Sequence, residues 1–143
     1  MKILIDSNIL VYAINQDSPK HKQVRKFLAE QFKSRKNQPF LAHQNILESL
    51  RVLTHPKFPN PISQNQGIQL LEQLLGQFTI ISPLPETISI FRELWCKYHQ
   101  RGNFIFDLYL VATALTHNIR IIATDNEKDL GQFEEINIIN PCS

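Results

Sequence analysis

Four acidic residues, Asp6, Glu48, Asp107 and Asp125, with Asp129 close behind the last, each stand at the end of an apolar segment or inside one. Asp6 closes the run Ile3-Leu4-Ile5, Glu48 sits within Ile46-Leu47-Glu48-Ser49-Leu50, Asp107 opens Leu108-Tyr109-Leu110-Val111-Ala112, and Asp125 ends Ile121-Ile122-Ala123-Thr124. A fold that gathers these groups concentrates negative charge in one cleft. Two carboxylates about 4 Å apart repel by roughly 4 kcal/mol at an effective dielectric near 20. Such a cluster persists only with protons or cations, and an all-oxygen site suits a hard divalent ion such as Mg²⁺ or Mn²⁺. The chemistry this points to is metal-assisted hydrolysis, with a phosphodiester as the fitting substrate class.

The elements that must position these acids are legible from periodicity and breakers. Residues 2–5 read as a short buried strand and 8–14 as a short helix. Pro19 suits a first helical turn, and Val24, Phe27, Leu28 and Phe32 recur at helical spacing to about residue 34. Asn37-Gln38-Pro39 breaks that helix before a strand at Phe40-Leu41. A helix is predicted over 43–54, and His55-Pro56 and Pro59-Asn60-Pro61 form the loop after it. Ser63 is the expected N-cap of a helix through Leu75 that ends at Gly76. Phe78–Ile81 reads as a strand, Pro85 opens a helix through Trp95, and 104–117 forms another. Arg120–Thr124 is a strand, 126–131 a helical turn and Ile136–Ile139 the last strand.

Strands alternating with helices, several of them unbroken aliphatic runs, predict an α/β fold with a mainly parallel sheet covered on both faces. Residues 1–143 read as a single domain of ordinary size with one core's worth of apolar chain. No stretch approaches the roughly 18 apolar residues of a membrane span, and the chain opens on a strand with no signal peptide, so a cytoplasmic protein with no membrane partner is expected. Cys96 and Cys142 match no CxxC pattern, and His21, His43, His55, His99 and His117 share no ligand spacing. The thiols are expected to be reduced and zinc is not expected. Trp95 and the phenylalanines fall at helical or strand spacing and are expected in the core.

In open α/β sheets, ligands lie at the carboxyl ends of the strands. Asp6 and Asp125 both follow a strand directly. Asp107 shares a helical stripe with Leu110, Val111, Ala114 and Leu115, so its carboxylate lies on the core-facing side, where it is costly unless paired or metal-bound. Taken singly, each acid has a plainer reading: Asp6 as a helix cap, Asp107 as a partner of its helix dipole, Glu48 as a surface residue and Asp125 as a turn residue. Their joint placement at one edge favours a site. Net charge is only +2, yet Lys20, Lys22, Arg25, Lys26, Lys33, Arg35 and Lys36 crowd one segment against Glu30 alone. That segment is either a solvated helix face or a phosphate-attracting patch beside the acids.

The same residues resemble a known family. Ile-Leu-Ile-Asp6-Ser7-Asn8, the helix Glu48-Ser49-Leu50-Arg51-Val52-Leu53 with Thr54-His55-Pro56 after it, Gly102-Asn103-Phe104-Ile105-Phe106-Asp107 with Ala112-Thr113-Ala114-Leu115, and Thr124-Asp125 with Asp129-Leu130 and Phe133 follow one another as in PIN-domain ribonucleases. Within them the chain is similar to the VapC-type toxins, and the final Asn140-Pro141 is a common ending. The fourth segment departs from the usual Thr-x-Asp-x-Asp-Phe by an extra residue, so the fourth acid is either Asp125, or Asn126 takes its place with Asp129 supporting. Phe106 stands where close relatives often carry His.

The resemblance implies a PIN-like three-layer α/β/α sandwich and a divalent-metal-dependent endoribonuclease, the toxin of a type II toxin–antitoxin pair. It implies Asp6, Glu48, Asp107 and Asp125 as catalytic residues and ligands of Mg²⁺ or Mn²⁺, with Ser7, Asn8, Thr124, Asn126 and Asp129 in support. RNA is the implied substrate, a cognate antitoxin the implied protein partner, and a homodimer the implied assembly. The helices bearing Phe27, Phe32, Leu71 and Leu75 are candidate association surfaces. The competing reading is a PIN-fold module that binds RNA or protein without turnover.

Overall fold

The computed structural model describes residues 1–143. The aliphatic runs become five short strands: β1 (Lys2–Ile5), β2 (Gln38–Ala42), β3 (Thr79–Ile81), β4 (Ile121–Ala123) and β5 (Asn137–Ile139). They form one sheet in the order β3-β2-β1-β4-β5, and every neighbouring pair is parallel. Seven helices connect them: α1 (Ser7–Ile14), α2 (His21–Lys33), α3 (His43–Leu53), α4 (Gln64–Gln77), α5 (Thr87–Tyr98), α6 (Phe104–Thr116) and α7 (Glu127–Leu130).

Strand side chains alternate between two cores. Ile3 and Ile5 pack with residues of α1, α2, α3 and α4, whereas Leu4 packs with residues of α5, α6 and α7. Both faces are therefore dry, which is why the strands carry no polar alternation. The arrangement is a three-layer α/β/α sandwich with a parallel centre. No helix is long and apolar enough to cross a membrane.

Two local features show how the chain accommodates its breakers. Pro39 lies inside β2, opposite Ile3. The Gln38 amide donates to Met1 O at 2.8 Å, so the position lacking N–H faces the other side of the strand. There β3 begins pairing only at Phe40, and no ladder bond is lost. At the start of α4, Ser63 Oγ accepts from the Gln66 amide at 3.2 Å, and Gln66 Oε1 accepts from the Ser63 amide at 2.8 Å. This reciprocal cap is the one Ser63 predicts. The helix runs one residue past Gly76, to Gln77, and Phe78 closes it in extended backbone.

The expectation that the aromatics all lie in the core is corrected. Trp95, Phe32, Phe104 and Phe106 are exposed, with Phe106 at 59%. Each has helical periodicity, but periodicity does not report how far a neighbour covers the face: Phe32 meets Phe78 edge-on at 5.0 Å and Trp95 meets Phe91 at 5.8 Å, yet both stay nearly half exposed. Of the four candidate association residues, Phe27 and Leu71 pack against the core, and Phe32 and Leu75 remain exposed. Cys96 and Cys142 are free thiols.

The strand order reverses between β1 and β4. From β1 the chain winds through β2 to β3, then returns through α5 and α6 to β4 on the opposite side. This reversal leaves a crevice beyond the carboxyl ends of β1 and β4, the place where open α/β sheets bind ligands.

Candidate active site

Asp6 stands at that crevice. It caps α1, with its Oδ1 accepting from the Ser7 amide at 2.7 Å, and its own amide donates to Ala123 O at 2.9 Å. Its Oδ2 accepts from the Thr124 hydroxyl at 2.7 Å, and both residues are buried. Capping and site membership are thus compatible roles of one carboxylate. Burial pushes the Asp6 carboxyl above its ordinary value, and the charge of Glu48 adds to the rise. The bonds from Thr124 and Ser7 oppose it.

Glu48 projects from α3 toward the same place. Ser7 Oγ donates to Glu48 Oε2 at 3.0 Å and lies 3.4 Å from Asp6 Oδ1, so one hydroxyl bridges the two carboxylates. Glu48 Oε1 accepts from Gln44 Nε2 at 2.9 Å, and the same amide group donates to Phe106 O at 3.0 Å. Gln44 therefore ties α3 to the first turn of α6. Beside it, Asn45 is fully buried; its Oδ1 accepts from the Ala42 amide at 2.9 Å while Nδ2 has no partner.

Asp107 lies in the first turn of α6, half-buried, on the helix whose Leu110, Val111 and Ala114 enter the core. It accepts no hydrogen bond from the protein. Burial first, then the charges of Asp6, Asp129 and Glu48 in that order, together raise its carboxyl to about 6. Three sequence-predicted acids, Asp6, Glu48 and Asp107, are thus electrostatically coupled in one cleft, and Asp129 joins them.

Asp125 is differently engaged. Its Oδ2 pairs with Lys20 Nζ and accepts from the Tyr12 hydroxyl at 2.9 Å, and Asn140 Nδ2 approaches Oδ1 at 3.4 Å. Burial pushes this carboxyl up, but the bonds from Lys20, Tyr12 and Asn140 outweigh that and hold it below its ordinary value. Asn8 supports the same segment: Nδ2 donates to Thr124 Oγ1 at 3.2 Å, and Oδ1 accepts from the Asp125 amide at 3.2 Å. The Asn126 amide donates to Thr124 Oγ1 at 3.0 Å, so Asn126 enters the network through its backbone.

Sequence reasoning missed Gln44, Tyr12, Lys20 as an Asp125 partner, and Asn140. Gln44 lies four residues before Glu48, a spacing that places two side chains on one helix face and could have flagged it. The Asp125 partners Tyr12 and Lys20 lie 113 and 105 residues away, and no local pattern reports them.

The donor set is all oxygen, and Asp107 has no internal donor to satisfy it, both of which suit a hard cation. The side chains face one cleft without closing on a point: no three His, Cys, Asp or Glu groups stand in a ready ligating arrangement. The residues fit such an ion in chemistry and charge, with their final approach left to binding.

Asp6 and Glu48 bridged by Ser7, with Asp107 on the next helix, at the switch point of a parallel sheet define an α/β protein with an acidic cleft. The PIN domain family model matches residues 3–136, and the chain belongs to the PIN domain family. Among curated relatives, Ribonuclease VapC37 of Mycobacterium tuberculosis is 27% identical over 139 residues, covering 95% of this chain and 94% of that protein. Ribonuclease VapC31 of the same organism is 25% identical over 142 residues, covering 96% and 97%. The fold is shared with VapBC2 from Rickettsia felis bound to a DNA fragment from its promoter, at TM-score 0.72 and 21% identity over 98% of each chain. It is also shared with the sarcin-ricin loop cleaving toxin VapC20 of M. tuberculosis, at TM-score 0.70 and 11% identity over 94% of this chain and 98% of that one.

Proposed function

We propose that this chain is a divalent-metal-dependent endoribonuclease acting as the toxin of a type II toxin–antitoxin pair in the cytoplasm. The observation that carries the reading is the gathering of Asp6 and Glu48, bridged by the Ser7 hydroxyl, with Asp107, which no protein donor satisfies, at the switch point of the sheet. Full-length relatives named as ribonucleases and neighbours solved as VapBC complexes support it. A cognate antitoxin is the protein partner and a homodimer the proposed assembly.

Asp6 and Asp107 would hold Mg²⁺ or Mn²⁺, with Glu48 reaching it directly or through water. The coupling of Asp129 to Asp107 favours Asp129 as the fourth acid, and the Lys20–Asp125 pair favours Asp125 as a support. When bound, the ion lowers the pKa of a ligated water and offsets charge on the scissile phosphate. The protein's part is placement. Thr124 and the Ser7 amide fix the two oxygens of Asp6. Ser7 and Gln44 fix the two oxygens of Glu48, which leaves little freedom at either carboxylate.

The test is cleavage of a mixed RNA pool with Mg²⁺ or Mn²⁺, against EDTA and Glu48→Gln. Cutting that needs the divalent ion and is lost in both controls supports the reading. Tight Mn²⁺ binding without cutting of any RNA, including total cellular RNA, favours the non-catalytic binding module.

A further inference from the structure

The basic segment before and along α2 is bound to the acidic crevice at one end only. Lys20 pairs with Asp125, its ammonium lies 5.1 Å from the centre of the Tyr12 ring, and His21 Nδ1 is 2.9 Å from Tyr12 O. Asp125 directly follows Thr124, whose hydroxyl holds Asp6. The N-terminus of α2 is therefore fixed at the lip of the cleft. Its first turn has no side-chain cap, and the amides of Lys22 and Gln23 have no protein acceptor.

From that point the charge runs outward. At 3.6 residues per turn, Lys22, Lys26 and Lys33 lie within about 40° of one another around α2. They are on the face opposite Val24, Leu28 and Gln31, which are buried. All three are exposed and none is paired with an acid, nor are Arg25, Arg35 and Lys36. At 1.5 Å per residue, the stripe from Lys20 to Lys33 extends about 20 Å from the cleft.

We propose that α2 is the path by which an RNA strand reaches the acidic cleft: Lys22, Lys26 and Lys33 take successive phosphates outward from the lip that the Lys20–Asp125 pair fixes. The inference rests on the ribonuclease reading and adds where the substrate backbone lies. A linear row of unpaired cations with no pocket between them suits a repeating polyanion better than a folded acidic partner. It also answers a need of the site, since a cleft of carboxylates repels the backbone it must cut.

The test measures binding of a fluorescein-labelled single-stranded RNA 20-mer by anisotropy in EDTA, so that no cleavage occurs, over a range of salt. The triple variant K22Q/K26Q/K33Q is compared with K57Q/R92Q/R101Q, which removes the same charge from other exposed positions. Melting curves verify that both are folded. Each lost single-strand phosphate contact lowers the slope of log affinity against log salt by about 0.7, so the α2 variant should lose about 2 from the slope and bind roughly tenfold more weakly at low salt. The control should stay near wild type. Equal losses in the two variants overturn the proposal, because charge alone would then explain binding. Unchanged RNA binding with lost binding of a poly-glutamate peptide overturns it in favour of a protein-docking face. Binding that depends on α2 in a chain that cuts no RNA keeps the path and removes the nuclease reading.

Discussion

Thr124 donates its hydroxyl to Asp6 Oδ2 at 2.7 Å across 118 residues of sequence, joining the ends of the two strands between which the sheet reverses. Both groups are buried, so the bond is sheltered from water competition. The same hydroxyl accepts from Asn8 Nδ2 and the Asn126 amide. One oxygen thus organises β1, α1 and the segment after β4.

Thr124→Val is expected to destabilise the protein by about 1–3 kcal/mol, because it leaves three buried or half-buried groups short of a partner. It should also raise the Asp6 carboxyl further, since the Thr124 bond is the largest force lowering it. Denaturant unfolding gives the stability, and Mn²⁺ titration calorimetry at pH 6 and 8 gives the second effect as weaker binding at the lower pH.

Asp107→Asn is expected to raise the melting temperature of the metal-free protein at pH 7.5. The folded carboxyl sits at about 6 against an ordinary 3.8, so between those values the folded state holds a proton that the unfolded chain releases, and at pH 7.5 it carries an unfavourable half-buried charge. That group's favourable contribution is complete below about 3.8 and is lost as pH rises through about 6. The advantage of the variant should therefore shrink toward pH 4. Thermal melts in EDTA at pH 4.5, 6 and 7.5 test this, and an advantage independent of pH would contradict it.

Gln44→Ala should lower metal affinity or RNA cleavage by about 10–100-fold, the usual cost of removing a residue that orients a ligand. Glu48 loses one of its two donors and the first turn of α6 loses its tie to α3. Gln44→Glu should be worse than Gln44→Ala, because it adds a like charge to the cleft. The comparison separates lost orientation from lost packing.

Asp129→Asn is expected to weaken Mn²⁺ binding more than Asp125→Asn. The charge of Asp129 acts on Asp107, whereas Asp125 is taken up by Lys20 and Tyr12. Calorimetry on the two variants side by side decides which acid belongs with the ion, and the reverse order would return Asp125 to the site.

Nearly every element was legible because its signal is local. Ser63 and Gln66 announce α4 three residues apart, and the aliphatic runs announce β1 and β4 by having no polar alternation. The gathering of Asp6, Glu48 and Asp107 followed from the strand-end rule and from the resemblance of their motifs. What could not be read is whatever depends on which side chains meet across the sheet. Asp125, Asn126 and Asp129 look alike as potential ligands in one dimension. Only Lys20 and Tyr12, brought over from the other side of β1, distinguish Asp125 from Asp129. The exposed Trp95 and Phe106 are a matching failure: their periodicity is helical, but Trp95 is covered on one side only, by Phe91, and both rings stay about half exposed.

The sheet order also sets a schedule. β1 lies at the centre of the sheet, and one of its two neighbours, β4, is synthesised 118 residues after it, with Ile3 facing Ile121. Until that segment leaves the ribosome, β1 has an open edge, Asp6 lacks Thr124, and α6 has no strand to return to. Pairings so distant in sequence are slow to form and come after local ones. A nascent chain can thus bring Asp6 and Glu48 together early, through β1, β2 and Ser7, while Asp107 and Asp129 join only near the end of translation. The complete acidic cleft arrives only with the final segments, so a fragment released before β4 is expected to lack both the Thr124 bond to Asp6 and Asp129.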